Sequence, residues 1–154
     1  MQAAITTVMR ICLVPIFGTA KAHYNLLMPC RYVIDKERRL VLSAGWDCVT
    51  TEELKAHRAQ LAKDPEFDPD FDQLVDGSAV TNLEISMAEA KVFATQTVFS
   101  PRSRRAFVAS NLLILGLARL METYARMGKG REQVSVFHDR AAAMKWLGLE
   151  NLPF

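Results

Sequence analysis

Between Asp64 and Asp76 the chain sets five aspartates and Glu66 within thirteen residues. Carboxylates at that density could hold a cation. Asp68, Asp70 and Asp72 match the D-x-D-x-D opening of a calcium loop. The sixth position of such a loop needs glycine for a sharp turn, and the twelfth needs a bidentate glutamate. Here those positions hold Gln73 and Ala79, so no metal is expected. Pro65, Phe67, Pro69 and Phe71 interleave with the acids, which suits an ordinary loop whose rings tuck under a sheet. Asp76 is different, because it ends a strand run on the side where open α/β sheets bind ligands.

Other residue types offer little catalytic patterning. His23, His57 and His138 lie far apart and form no H-E-x-x-H. A nucleophilic serine could be built from Ser78 or Ser86 with His138, but no G-x-S-x-G presents one. No G-x-G-x-x-G or G-x-x-x-x-G-K occurs, so no nucleotide cofactor is implied. Arg102, Arg104 and Arg105 crowd the start of a strand and form a candidate anion patch. Leu112, Leu113 and Leu117 belong to a nearly all-round apolar run and are candidates for the wall of an apolar pocket.

Charge narrows the partners. Beyond Met28 the chain carries 17 basic and 17 acidic residues, which leaves no electrostatic case for nonspecific nucleic-acid binding. Cys12, Cys30 and Cys48 are odd in number and form no C-x-x-C, which fits a reducing cytoplasm. Residues 1–27 show no clear period. Their apolar run, Ile11 to Phe17, holds Pro15 and falls far short of the about 20 residues a membrane span needs. Three readings of that segment stand: a start assigned ahead of a true one at Met28, a signal peptide cut after Ala20-Lys21-Ala22, or a loosely packed arm. Residues 28–154 read as one domain.

The elements that would position these residues follow from period and punctuation. "RYVID" and "RRLVLS" alternate about a short polar turn, giving a hairpin over 31–43. Thr50 and Glu53 form a capping box for a helix that carries Leu54, His57 or Arg58, and Leu61 on one face, and Pro65 stops it. "FDQLVDG" is a short strand. Ser86 and Glu89 form a second capping box for a helix to about Val98, with Met87, Ala90, Ala94 and Val98 inward. "RRAFVA" is a strand, residues 111–127 a long helix, and "EQVSVFH" the last strand. Asp139 caps a final helix that Gly148 ends. The order β-β-α-β-α-β-α-β-α implies an α/β domain, an N-terminal hairpin followed by βα units on a mixed, mostly parallel sheet.

Two stretches, "RRAFVASNLLILGLARLMETYA" and "VSVFHDRAAAMKWLG", resemble the STAS superfamily, the anti-sigma-factor-antagonist fold, and within it the SpoIIAA-like branch of small bacterial proteins. The second stretch carries Val136, Phe137, Asp139, Ala142, Trp146 and Leu147 in that branch's pattern. The likeness spans roughly residues 30–149. In phosphorylatable relatives the second helix opens with D-S-S-G, and a kinase modifies a serine there. The equivalent positions here are Glu84, Ile85, Ser86 and Met87, of which Ser86 alone keeps its type.

The resemblance implies a non-catalytic regulatory or protein-interaction domain acting through the N-terminus of the second helix, with Ser86, Glu84, Asp76 and Ser78 nearby. It needs no cofactor. Its partner would be a protein, including a second copy in a homodimer. The alternative is a carrier or sensor of a small apolar or amphipathic, lipid-like ligand with the third helix as pocket wall. An enzyme is a distant third.

Overall fold

The computed structural model describes residues 22–23, 28–128 and 133–149. The expected hairpin forms: β2 (Cys30–Asp35) and β3 (Leu40–Thr50) pair antiparallel, with Asp35 opposite Leu40. Its turn is tied by the Asp35 carboxylate, which accepts from the Arg38 backbone N–H at 3.0 Å and from its guanidinium at 2.7 Å. Then follow α1 (Thr51–Lys63), β4 (Asp72–Glu84), α2 (Met87–Thr95), β5 (Arg104–Val108), α3 (Leu112–Met127), β6 (Gln133–Phe137) and α4 (Arg140–Leu147). The hairpin and the βα units thus appear in the expected order. One strand is added: β1 (Ala22–His23) pairs antiparallel with the outer edge of β2, Ala22 opposite Val33. The sequence pattern assigned that segment no element. The remainder of residues 1–27 lies outside the described residues.

Strands β3 to β6 are parallel neighbours, so the six strands cross the sheet in chain order. That order dictates where the helices go. Each crossover steps one place in the same direction, and parallel crossovers share one hand. The helices α1, α2 and α3 must then share a face. The last helix, α4, is no crossover and covers the other face. There Leu40, Leu74 and Ala106 pack against Ala143, Met144 and Leu147. On the three-helix face Tyr32, Ile34 and Val41 meet Leu61, Phe71 and Phe99, while Val49 and Val80 meet Ile114.

The helix starts follow their caps. Both capping boxes close, Thr50 with Glu53 and Ser86 with Glu89. Asn111 caps α3, Asp139 caps α4, and Gly148 ends α4 in the left-handed region at φ 76°.

Two strands run longer than expected. β3 continues past Ser43 to Thr50, and β4 continues past Gly77 to Glu84. Register shifts lie between Ala44 and Trp46 and between Asp47 and Cys48, where Asp47 takes φ 54°. Such bulges reset the two-residue alternation, so a reading by period loses the strand at that point. Further differences sit on the second helix. It ends at Thr95, and Met87 is 58% exposed rather than inward.

Candidate functional site

The three-helix face is incompletely filled. A cavity of about 180 Å³ lies between the sheet and α1, α2 and α3. Its helical walls are mostly apolar: Leu54 and Leu61 from α1, Phe93 and Ala94 from α2, Ile114 and Ala118 from α3. Its sheet floor is mostly apolar too, with Val49, Val75, Val80 and Phe107, but a polar strip crosses it. Ser43 of β3, Gln73 of β4 and Arg105 of β5 form that strip, one from each of three neighbouring strands. Gln73 donates to Ser43 Oγ at 3.0 Å, and Arg105 Nε donates to Gln73 Oε1 at 3.2 Å. Arg105 Nη1 also donates to Thr97 Oγ1 at 3.1 Å. A polar chain therefore crosses three adjacent strands beneath an apolar vault. The Arg105 guanidinium lies over the Phe99 and Phe107 rings, 4.9 and 5.4 Å from their centroids, which suits a cation held in an apolar wall.

Three further side chains add polar or titratable groups to the lining. Arg58 of α1 reaches across to α2, its guanidinium 3.6 Å from the Phe93 ring centroid, and donates to the Phe93 carbonyl. Cys30 is part-buried, and its thiol is pushed up to about 11, first by burial and then by the Glu53 charge. It stays a thiol at neutral pH and offers no nucleophile. His57 lines the cavity too, and its Nε2 is buried without a hydrogen-bond partner. Burial holds the ring below its usual range, a hydrogen bond with the Arg31 backbone opposes that, and the Arg58 charge adds to the lowering.

The residues expected to form an anion patch go three separate ways. Arg102 pairs with Asp70 at 2.7 Å on the surface. Arg104 points to the α4 face and pairs with Asp72 at 2.8 Å. Arg105 faces the cavity, because successive strand residues alternate. The acidic loop is thereby explained in part as the partner set for Arg102 and Arg104. Asp70 also accepts from the Ser100 hydroxyl, and that bond, with the Arg102 charge, holds its carboxyl below the usual range. Asp64 accepts from the Tyr32 hydroxyl at 3.0 Å.

Asp76, expected to end a strand, instead lies inside β4, which runs on to Glu84; it and the residues near the α2 start are all engaged. Asp76 accepts from Arg140 at 3.1 Å and from the Ser78 backbone at 3.0 Å. Ser86 is exposed, accepts from the Glu89 N–H at 3.2 Å, and its own N–H meets the Glu89 carboxylate at 2.8 Å. Glu84 accepts from the Cys48 thiol at 3.4 Å. Third-helix residues do line the cavity, but the stripe differs from the one expected. Ile114, Ala118, Met121 and Ala125 face in, whereas Leu112 and Leu113 are 79% and 74% exposed and Leu117 is half-buried outside the lining. The all-round apolar run hides its own inner face, so composition alone could not choose between stripes. Ser43 and Gln73 carried a readable signal: two polar residues on one face of adjoining buried strands.

No protein-family model and no curated protein matches the chain. Among described residues, no helix is long and apolar enough to cross a membrane. The α/β fold with its N-terminal hairpin rests on the strand order and register given above. Among solved structures, the chain is similar to an uncharacterized protein from the DUF3478 family with a SpoIIAA-like fold, from Shewanella loihica PV-4, at 16% identity and a TM-score of 0.45, covering 84% of this chain and 92% of that one.

Proposed function

We propose that this domain is a non-catalytic binding module, a carrier or sensor for a small amphipathic ligand held between the sheet and the three crossover helices. The observation that carries this reading is the cavity of about 180 Å³ with apolar helical walls over a polar strip. A protein cavity of about 150 Å³ lined by aliphatic and aromatic side chains admits benzene. Drug-sized pockets begin at about 300 Å³. The space therefore suits a ring-sized or short-chain body rather than a whole lipid. A ligand that bridges three helices would tighten their packing on the sheet, which is how occupancy could be signalled to a partner.

The test is a titration with toluene followed by amide NMR, with Ala118→Leu as the filled-cavity control. Saturable shifts confined to cavity-lining residues, lost in Ala118→Leu while the fold is retained, are expected. No saturable shift at the solubility limit of toluene would sink the reading.

A second reading, a surface for a second copy of the chain, is favoured by one observation. Met87, Leu112 and Leu113 are exposed at the N-terminal ends of α2 and α3, which pack on each other. Ultracentrifugation of the wild type and of Leu112→Ser/Leu113→Ser tests it. Self-association lost in the double variant supports this homodimer, and a wild type that stays monomeric at high concentration removes it.

A further inference from the structure

Resting on the ligand-binding reading above, we infer that the cavity selects a ring-sized ligand bearing a hydroxyl, and that His57 Nε2 is the acceptor that reads this hydrogen-bond donor. Buried polar atoms are almost always satisfied, so an orphan among them needs an account. Among the described residues His57 Nε2 is the buried side-chain nitrogen or oxygen without a partner. It belongs to a residue that lines the cavity.

The chemistry of the orphan atom follows from its ring. The bond between His57 and the Arg31 backbone favours the charged imidazole, so the ring is the donor and the carbonyl the acceptor. Since Nε2 is unpartnered, that donor is Nδ1–H. In a neutral imidazole with Nδ1 protonated, Nε2 carries a lone pair and accepts. Burial keeps the ring neutral. The neighbouring groups do not supply the missing proton. The Tyr32 ring meets the imidazole edge-on at 5.5 Å, but its hydroxyl is committed to Asp64. Ser43, Gln73, Thr97 and Arg105 are joined in their own chain. An incoming hydroxyl on an otherwise apolar body would satisfy His57 Nε2. An ether of similar shape would leave it orphaned.

Three probes of similar size separate the possibilities: phenol, which donates; anisole, which only accepts; and toluene, which does neither. Each is titrated into the full chain at pH 7.5, with amide shifts and the imidazole nitrogen resonances recorded. All three should shift cavity-lining residues. Phenol should bind at least tenfold more tightly than anisole, about 1.4 kcal/mol. Phenol alone should move the His57 Nε2 resonance. His57→Leu should erase the phenol preference while still binding toluene. Should that variant fail to fold, the wild-type nitrogen resonance still decides. Equal affinities for phenol and anisole with an unmoved Nε2 would overturn the inference while leaving the cavity reading intact. No binding of any probe would overturn both.

Discussion

Arg104 on β5 holds Asp72 on the neighbouring β4 through two contacts to one carboxylate oxygen, Nη2 at 2.8 Å and Nε at 3.2 Å, while the Arg104 backbone N–H meets the other oxygen at 2.7 Å. The same guanidinium donates to the Trp146 and Leu147 carbonyls at 3.2 and 3.0 Å. One side chain therefore joins two strands and caps the C-terminal turn of α4, where a positive charge also complements the helix dipole.

From that arrangement Arg104→Met should destabilise the domain by about 2–3 kcal/mol, since hydrogen bonds to charged groups contribute about 1.5–3 kcal/mol and Asp72 loses its partner. Arg102→Met should change stability by less than about 1 kcal/mol, because Arg102 is 82% exposed and exposed pairs contribute little. Urea unfolding of the two variants checks the contrast. Equal losses would show that the Arg104 cluster is no stronger than a surface pair.

Gly77 marks a close approach of β4 to β5. A Cβ built there would lie 2.9 Å from the Val108 carbonyl oxygen, a backbone atom that cannot swing aside. Gly77→Ala should cost about 1–3 kcal/mol through forced strand separation. Gly116→Ala, on α3 with nothing within 4 Å, should be neutral or stabilising by up to about 1 kcal/mol. Thermal melts of both variants would reveal opposite signs.

Ser86→Ala removes the oxygen that accepts from Glu89 N–H and should cost about 1 kcal/mol. Ser86→Asp keeps a cap and adds charge at a helix N-terminus, so it should melt within about 0.5 kcal/mol of wild type. If the serine is instead a modification switch, its phosphate would appear in mass spectra of protein from native cells, and Ser86→Asp would alter partner binding.

Acid sensitivity should report His57. Its folded-state pKa lies below the unfolded value of about 6.5, so between the two the unfolded chain binds more protons. Stability is thus complete above about pH 6.5 and declines as pH falls toward the folded value. Charged groups lining the same space are Arg58 on α1, Arg105 on β5 and Glu122 on α3. Asp70 and Glu89, whose pKa values are lowered in the fold, act in a separate, more acidic window. His57→Leu should flatten the stability profile between pH 6.5 and the folded value. An unchanged slope in urea midpoints across that range would contradict the assignment.

The fold was largely legible where one local signal dominated. Thr50, Ser86 and Asp139 announced helix starts because a side-chain cap is written in adjacent residues. The extension of β3 through Asp47 was not legible, because a bulge with a left-handed residue interrupts the alternation that betrays a strand. The cavity was harder still. His57 or Arg58 was legible between Leu54 and Leu61 on one helical face, yet what that face meets depends on α2, α3 and three strands closing over it. Arg102, Arg104 and Arg105 looked like one cluster because proximity in sequence is not proximity of side chains on a strand.

The strand order carries a consequence for how the chain is made. Each strand pairs with those just before and after it in the chain. On the ribosome every new strand and helix could therefore dock onto a sheet edge already in place, with none waiting to be threaded between earlier ones. α4 emerges after all six strands and covers the face that Leu40, Leu74 and Ala106 have presented bare until then. A released chain truncated before residue 140 would carry all six strands with one apolar side open to water, the form most in need of a chaperone.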